Sequence, residues 1–128
     1  MRALIVDDSQ AARETARCAL EDALAALGAD LPITVVSNGV EGLKEIAAGD
    51  VRVLLIDLHM PDLHGLEVLS FWKQRQPSGG GRALIVTTEV SERDRTKALE
   101  AGAYALIEKP VTDAALEQAL ADFLGGAA

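Results

Sequence analysis

Five short apolar runs punctuate the chain, and between them apolar residues recur at helical spacing. The runs are Arg2-Ala3-Leu4-Ile5-Val6, Ile33-Thr34-Val35-Val36, Val51-Arg52-Val53-Leu54-Leu55-Ile56, Ala83-Leu84-Ile85-Val86 and Ala105-Leu106-Ile107-Glu108. They are near-continuous rather than alternating, which marks strands covered on both faces. After the first run, Ser9 is placed to cap a helix. Ala12, Ala16, Ala19, Leu20, Ala23, Leu24 and Leu27 then repeat helically up to a stop at Gly28. Asn38-Gly39 predicts a turn, and Leu43, Ile46 and Ala47 mark a short second helix ending near Gly49. A loop through Pro61 to Gly65 leads to a third helix patterned on Leu66, Leu69 and Phe71. The segment Ser91 to Ala101 is rich in charge and predicts a largely solvent-facing helix over one edge of the sheet. A last helix begins near Asp113, with Leu116, Leu120, Phe123 and Leu124 on one face.

Strands alternating with helices imply parallel βαβ units with right-handed crossovers. The predicted architecture is α/β, a doubly wound five-stranded parallel sheet with helices on both faces, and the pattern shows no repeat, linker or second domain. Pro77-Ser78-Gly79-Gly80-Gly81 precedes a strand and lacks the Gly-Lys-Ser/Thr ending of a phosphate loop, so it reads as a surface loop.

Charged and hydroxyl side chains stand directly after four of these runs. The first run meets Asp7-Asp8, the third meets Asp57 and then Met60-Pro61-Asp62, the fourth meets Thr87, and the fifth meets Lys109-Pro110. In a parallel sheet these ends share one edge, where open α/β folds place their sites. Carboxylates gathered there repel one another and need compensating positive charge. Lys109 offers one such charge, and a divalent cation offers more. Ligation by oxygen alone favours Mg²⁺, with Mn²⁺ as an alternative. A carboxylate held beside such a metal can act as a nucleophile toward phosphorus. Asp57, alone at its strand end, is the natural nucleophile, and Asp7 and Asp8 are the natural metal ligands. Lys109 can pair with one phosphoryl oxygen and Thr87 can donate to another. A phosphoryl group adds roughly −1.5 to −2 charge. Drawing Thr87 toward it would shift the loop after the fourth strand and the charged helix behind it. Taken singly, these residues are ordinary caps, turns and strand ends; their placement on four separate strand ends points to a site.

Composition narrows the partners. The net charge of −8 disfavours direct contact with nucleic acid, whereas docking on basic protein surfaces remains open. Hydrophobic content of 49% and charged content of 25% are those of a globular domain. No apolar run approaches the roughly 20 residues that cross a bilayer, and Asp7 and Asp8 cut short any signal sequence. A cytoplasmic, membrane-free protein is expected. The single cysteine, Cys18, excludes an internal disulfide and reads as a packing residue among alanines. His59 and His64 have no helical ligand spacing and no evident third ligand, so they read as loop histidines. Trp72 is expected to be packed or half-exposed.

The segments Leu-Ile-Val-Asp-Asp-Ser at 4–9, Leu-Ile-Asp-Leu-His-Met-Pro-Asp at 55–62, Gly65-Leu66, Ile-Val-Thr-Thr-Glu at 85–89, Ala-Gly-Ala at 101–103 and Lys109-Pro110 resemble the receiver domains of bacterial response regulators. The resemblance implies a receiver domain over 1–124 with a short tail at 125–128, and a strand order of 2-1-3-4-5. It implies that Asp57 is the phosphoacceptor and that Asp7 and Asp8 form the acidic pair, one binding Mg²⁺ directly and the other often through water. His59 would contribute its backbone carbonyl to the metal, Thr87 the switch hydroxyl and Lys109 the phosphate-pairing ammonium. The Lys109–Pro110 bond would be cis. The phosphodonor would be a sensor histidine kinase or a histidine phosphotransfer protein. The receiver would then lose the phosphoryl group to an in-line water, acting on no separate substrate and so not as an enzyme in the usual sense. Its output surface would be the fourth helix, fifth strand and fifth helix, roughly Ser91 to Leu124, with Arg93, Arg95, Lys97 and Glu100 as contacts. The expected form is a stand-alone receiver of chemotaxis or phosphorelay type, a monomer or an activation-dependent dimer.

Departures from the family pattern are Leu106 where an aromatic is frequent, with Tyr104 two positions away, and Thr88 where Ala or Gly is commoner. His64 stands for a frequent Asp, and Val111 for a frequent Phe. His59, beside Asp57, is expected to tune the lifetime of the phosphoryl group. A phosphorylation-independent adaptor and a receiver piece of a longer regulator are the alternatives within the family. A haloacid-dehalogenase-type phosphohydrolase would need an Asp where His59 stands.

Overall fold

The computed structural model describes residues 1–75 and 80–124. Most of the predicted surface loop at 77–79 and the tail at 125–128 lie outside the described residues. The chain alternates β1 (Arg2–Val6), α1 (Gln10–Ala26), β2 (Ile33–Val36), α2 (Gly39–Ala48), β3 (Val51–Asp57), α3 (Gly65–Arg75), β4 (Arg82–Thr87), α4 (Glu92–Glu100), β5 (Ala105–Glu108) and α5 (Asp113–Leu124). All neighbouring strands are parallel, in the order β2-β1-β3-β4-β5. The expected fold class and strand order are both realised.

Successive residues of a strand point to opposite faces, so each central strand serves two cores. Ile5, Leu55 and Leu84 pack under α1 and α5 with Leu20, Leu24, Leu116 and Leu120. Leu4, Leu54 and Ile85 pack under α2, α3 and α4 with Ile46, Leu69, Trp72 and Ala98. Because both faces are covered, the strands can be apolar throughout. Helix α4 contributes only Ala98 as a buried side chain, in keeping with its charged sequence.

Helix starts follow their capping residues. The Ser9 hydroxyl accepts from the Ala12 N–H at 3.3 Å, and the Ser91 hydroxyl accepts from the Asp94 N–H at 3.0 Å. Asn38-Gly39, expected as a turn, is instead the start of α2. The Asn38 side chain accepts from the Glu41 N–H at 2.8 Å, and Gly39 is already helical. Asparagine suits a turn and an N-cap equally, so tertiary contact decided. Leu63 lies so close that a Cβ on Gly39 would come within 2.6 Å of it. The buried face of α3 is Val68, Leu69 and Trp72, while Leu66 and Phe71 are only half-buried. Phe71 stacks under the Arg75 guanidinium at 4.3 Å instead. Trp72 is fully packed, its ring against Gly81, where a Cβ would come within 2.7 Å of the indole.

Candidate functional site: the acidic edge of the sheet

Parallel register carries the strand ends to one place. Val6 pairs with Ile56, so Asp7 and Asp57 emerge side by side from β1 and β3. The Leu58 N–H donates to the Val86 carbonyl at 2.9 Å, and the Lys109 N–H to the Thr87 carbonyl at 2.7 Å. These bonds lock β3, β4 and the residue after β5 to one another. Asp7 and Asp57 are buried, 4% and 6% exposed, whereas Asp8 is exposed. Carboxylate oxygens of Asp7, Asp8 and Asp57 all lie within 4.8 Å of one another. No other group of three potential metal ligands occurs among the described residues.

The Lys109 Nζ reaches Asp7 Oδ2 at 2.9 Å and Asp57 Oδ1 at 3.4 Å. Asp7 Oδ1 accepts from the Ser9 N–H at 2.9 Å, so each Asp7 oxygen has a donor. Asp57 is less well compensated. Burial, then the charge of Asp7, push its carboxyl up to about 6; Lys109 opposes this and a hydrogen bond with Asp8 adds to it. Burial disfavours the Lys109 ammonium, but the hydrogen bond and charge of Asp7, followed by those of Asp57, outweigh it and raise its pKa. One ammonium against three carboxylates leaves the cluster negative. An all-oxygen donor set with excess negative charge fits a hard divalent cation. Asp7, Asp8 and Asp57 are the side chains that could hold it.

Thr87 ends β4 and is 1% exposed, but its hydroxyl does not reach the cluster. It donates to the Glu89 carbonyl at 3.3 Å within its own loop. By strand alternation its side chain falls on the α2–α4 side with Ile85, whereas Asp57 falls on the α1–α5 side with Leu55. Thr88, a departure from the family pattern, lines the cleft instead. That cleft has a volume of about 320 Å³ and joins Asp7, Asp57 and Lys109 to Ala12, Thr15 and Ala16 of α1 and to Pro110 and Val111. The Lys109–Pro110 bond is cis, as the resemblance implied. Leu106 is buried in the α2–α4 core. Tyr104 is exposed before β5, stacked on the Arg82 guanidinium at 3.7 Å, and takes no part in the site.

The loop between β3 and α3 returns tightly to the strand end. The Gly65 N–H donates to the Leu58 carbonyl at 2.8 Å, and a Cβ at Gly65 would sit 2.5 Å from the Asp57 carbonyl oxygen. Only glycine permits that approach. The exposed His59 ring meets His64 edge-on, with centroids 5.4 Å apart, and His64 Nδ1 accepts from the Leu66 N–H at 3.3 Å. The structure therefore places the two histidines as loop and cap residues. Sequence reasoning overlooked the work of Asp62. Its carboxylate accepts from the Gly39 and Val40 N–H groups at 3.1 and 3.0 Å. Its partners lie more than 20 residues upstream on α2, so no local signal announces them.

Residues 3–121 match the response regulator receiver domain. A chemotaxis protein CheY homolog of Campylobacter jejuni is 33% identical over 126 residues, covering 98% of this chain and 93% of that protein. The chemotaxis protein CheY1 of Helicobacter pylori is 30% identical, covering 98% of each chain. Among solved structures, a CheY-like receiver domain protein of Methanospirillum hungatei has a TM-score of 0.79 at 29% identity, covering 98% of this chain and 94% of that one. Chemotaxis protein CheY4 of Vibrio cholerae has a TM-score of 0.76 at 26% identity, covering 94% and 97%.

Proposed function

The chain belongs to the response regulator receiver domain family, and from that premise we propose that it accepts a phosphoryl group on Asp57 in a Mg²⁺-dependent reaction. The observation that carries this reading is the gathering of Asp7, Asp8 and Asp57 within 4.8 Å, with the Lys109 ammonium paired to Asp7 and Asp57. The donor is a histidine kinase or phosphotransfer protein in the cytoplasm. An ionised Asp57 oxygen attacks the phosphorus of a phosphohistidine, the P–N bond breaks, and the imidazole leaves with the electron pair and takes up a solvent proton. Lys109 moves from its carboxylate partners to a phosphoryl oxygen. Hydrolysis reverses the modification when water attacks phosphorus in line and the Asp57 carboxylate departs. Asp7, Asp8, Asp57 and the His59 backbone carbonyl would hold Mg²⁺ or Mn²⁺, which would supply charge neutralisation for the phosphoryl oxygens.

The Thr87 hydroxyl, which donates in this state to the Glu89 carbonyl, exchanges that partner for a phosphoryl oxygen. The β4–α4 loop and α4 follow, and the surface of α4, β5 and α5 changes toward a downstream protein. Leu106 contributes no rotating aromatic ring, so the signal runs through Thr87 and α4. His59, exposed beside Asp57, sets how long the phosphoryl group persists. The module then acts as a phosphorylation-dependent binding partner rather than an enzyme on a separate substrate.

Intact-mass measurement after incubation with Mg²⁺ and acetyl phosphate tests this. One phosphoryl adduct is expected, absent in Asp57→Asn and absent with a chelator. An adduct that persists in Asp57→Asn would overturn the assignment.

A further inference from the structure

We propose that Asp62 is a positioning residue for the metal site, holding the loop that carries the His59 carbonyl against the start of α2. This rests on the phosphoacceptor reading above and extends it to a residue that does not touch the metal or the phosphoryl group.

The loop leaves β3 at Leu58 and rejoins the fold at Gly65, and both ends are fixed by backbone hydrogen bonds. Between them Met60 drops its side chain into the core, while His59 and Pro61 are exposed. Among the described residues, the side-chain hydrogen bonds that tie this span to an element other than β3 and α3 come from Asp62 alone. One oxygen takes the Gly39 N–H at 3.1 Å and the other the Val40 N–H at 3.0 Å. These N–H groups belong to the first turn of α2, where helical donors lack internal partners and the helix dipole favours a carboxylate. The same N–H groups, Val40's first, hold the Asp62 carboxyl below the usual carboxylate range. An apolar contact lies directly beside the polar one. Leu63 sits against Gly39 so closely that a Cβ there would approach to 2.6 Å. The loop is thus clasped to α2 by neighbouring residues of opposite chemistry, and its height above the strand end is set by α2.

Outer partners that orient a metal ligand commonly matter about tenfold or more for affinity. Asp62→Ala is expected to raise the Mg²⁺ dissociation constant roughly tenfold, while the rate of phosphorylation by acetyl phosphate at saturating Mg²⁺ stays near wild type. Asp62→Asn keeps one acceptor oxygen and falls between. Gly39→Ala pushes Leu63 away and lowers affinity in the same direction; combined with Asp62→Ala it adds less than the sum, because both open one clasp. Reciprocity requires that Mg²⁺ slow amide exchange at Gly39 and Val40 in the wild type, and this slowing is lost in Asp62→Ala. Arg82→Met, far from the site, serves as the control for stability loss alone.

Unchanged Mg²⁺ affinity in Asp62→Ala beside a lowered melting temperature would make Asp62 merely structural and overturn the inference. Exchange at Gly39 and Val40 that ignores Mg²⁺ would do the same. A wild-type chain that neither binds Mg²⁺ nor takes up phosphate would overturn the reading of the site itself, and the inference with it.

Discussion

Where the strands begin, Arg2 donates to the Glu45 carboxylate at 2.6 Å, the Thr34 hydroxyl at 3.0 Å and the Glu45 carbonyl at 2.7 Å. At the same edge Arg82 pairs with Asp122 at 2.7 Å, donates to the Ala119 carbonyl at 2.8 Å, and lies over the rings of Tyr104 and Phe123. Where the strands end, Asp7, Asp8 and Asp57 crowd together, with Lys109 paired to Asp7 and Asp57. At the first edge Arg2 and Arg82 each find a carboxylate partner within the fold. The second keeps the Asp57 carboxyl raised to about 6, by burial first and by the charge of Asp7 second. Burying such charge costs stability, and a cation or a phosphoryl–cation pair relieves that cost. One sheet thus has a structural edge and a chemical edge, separated by the length of its strands.

The sharpest way to break this contrast is Asp57→Asn. It abolishes the phosphoryl adduct and, unusually for a buried polar substitution, stabilises the metal-free protein near neutral pH. The folded value near 6 lies above the ordinary 3.8. The carboxyl's contribution to stability is therefore fully present below about 3.8 and is lost as pH rises through about 6. The expected gain is on the order of 1–3 kcal/mol at pH 7.5. It shrinks toward zero near pH 4 in urea titrations; an equal gain at both pH values would contradict the charge argument.

Lys109→Met attacks the same edge from the other side. Removing that ammonium leaves Asp7 and Asp57 buried without their ion-pair partner and costs about 3 kcal/mol at neutral pH. Much of that loss is expected to return at pH 5 or with millimolar Mg²⁺, as read by thermal unfolding. Arg82→Met should cost about 1–2 kcal/mol from lost hydrogen bonding and stacking. Mg²⁺ affinity and adduct formation stay at wild-type values, and a change in either would show that the two edges are coupled. Thr87→Val has the smallest effect on the fold, within about 1 kcal/mol. It leaves adduct formation intact and removes the phosphorylation-dependent amide shifts of α4 in NMR spectra. Persisting shifts would place the switch elsewhere.

Much of the fold was legible because it is written locally. Apolar runs, Ser9 and the helical alanine pattern of α1 each act within a few residues, and their elements appear as expected. The acids and Lys109 were legible for a different reason. Once the sheet is parallel, every strand end falls on one edge, so topology alone brings Asp7, Asp57 and Lys109 together. Side-chain direction was harder. Thr87 ends its strand as predicted, yet the pleat turns its hydroxyl away and Thr88 faces the cleft. The sequence pattern of α3 includes Phe71, yet Trp72, three residues after Leu69 and four after Val68, shares their face and is the ring that is buried, beside Gly81.

Asp62 marks the limit of sequence reasoning most clearly. It is one carboxylate among many in an acidic chain, and its partners are backbone N–H groups, which every residue but proline carries. By itself the sequence determined which elements form, their parallel order of chemistry along one edge, and the surplus of negative charge there, since these follow from period, caps and composition. Which hydroxyl faces the cleft, which acids pair with Arg2 and Arg82 at the opposite edge and which acid clasps α2 were decided only by tertiary structure. They depend on distances between segments far apart in the chain, and such distances exist only once the core has closed.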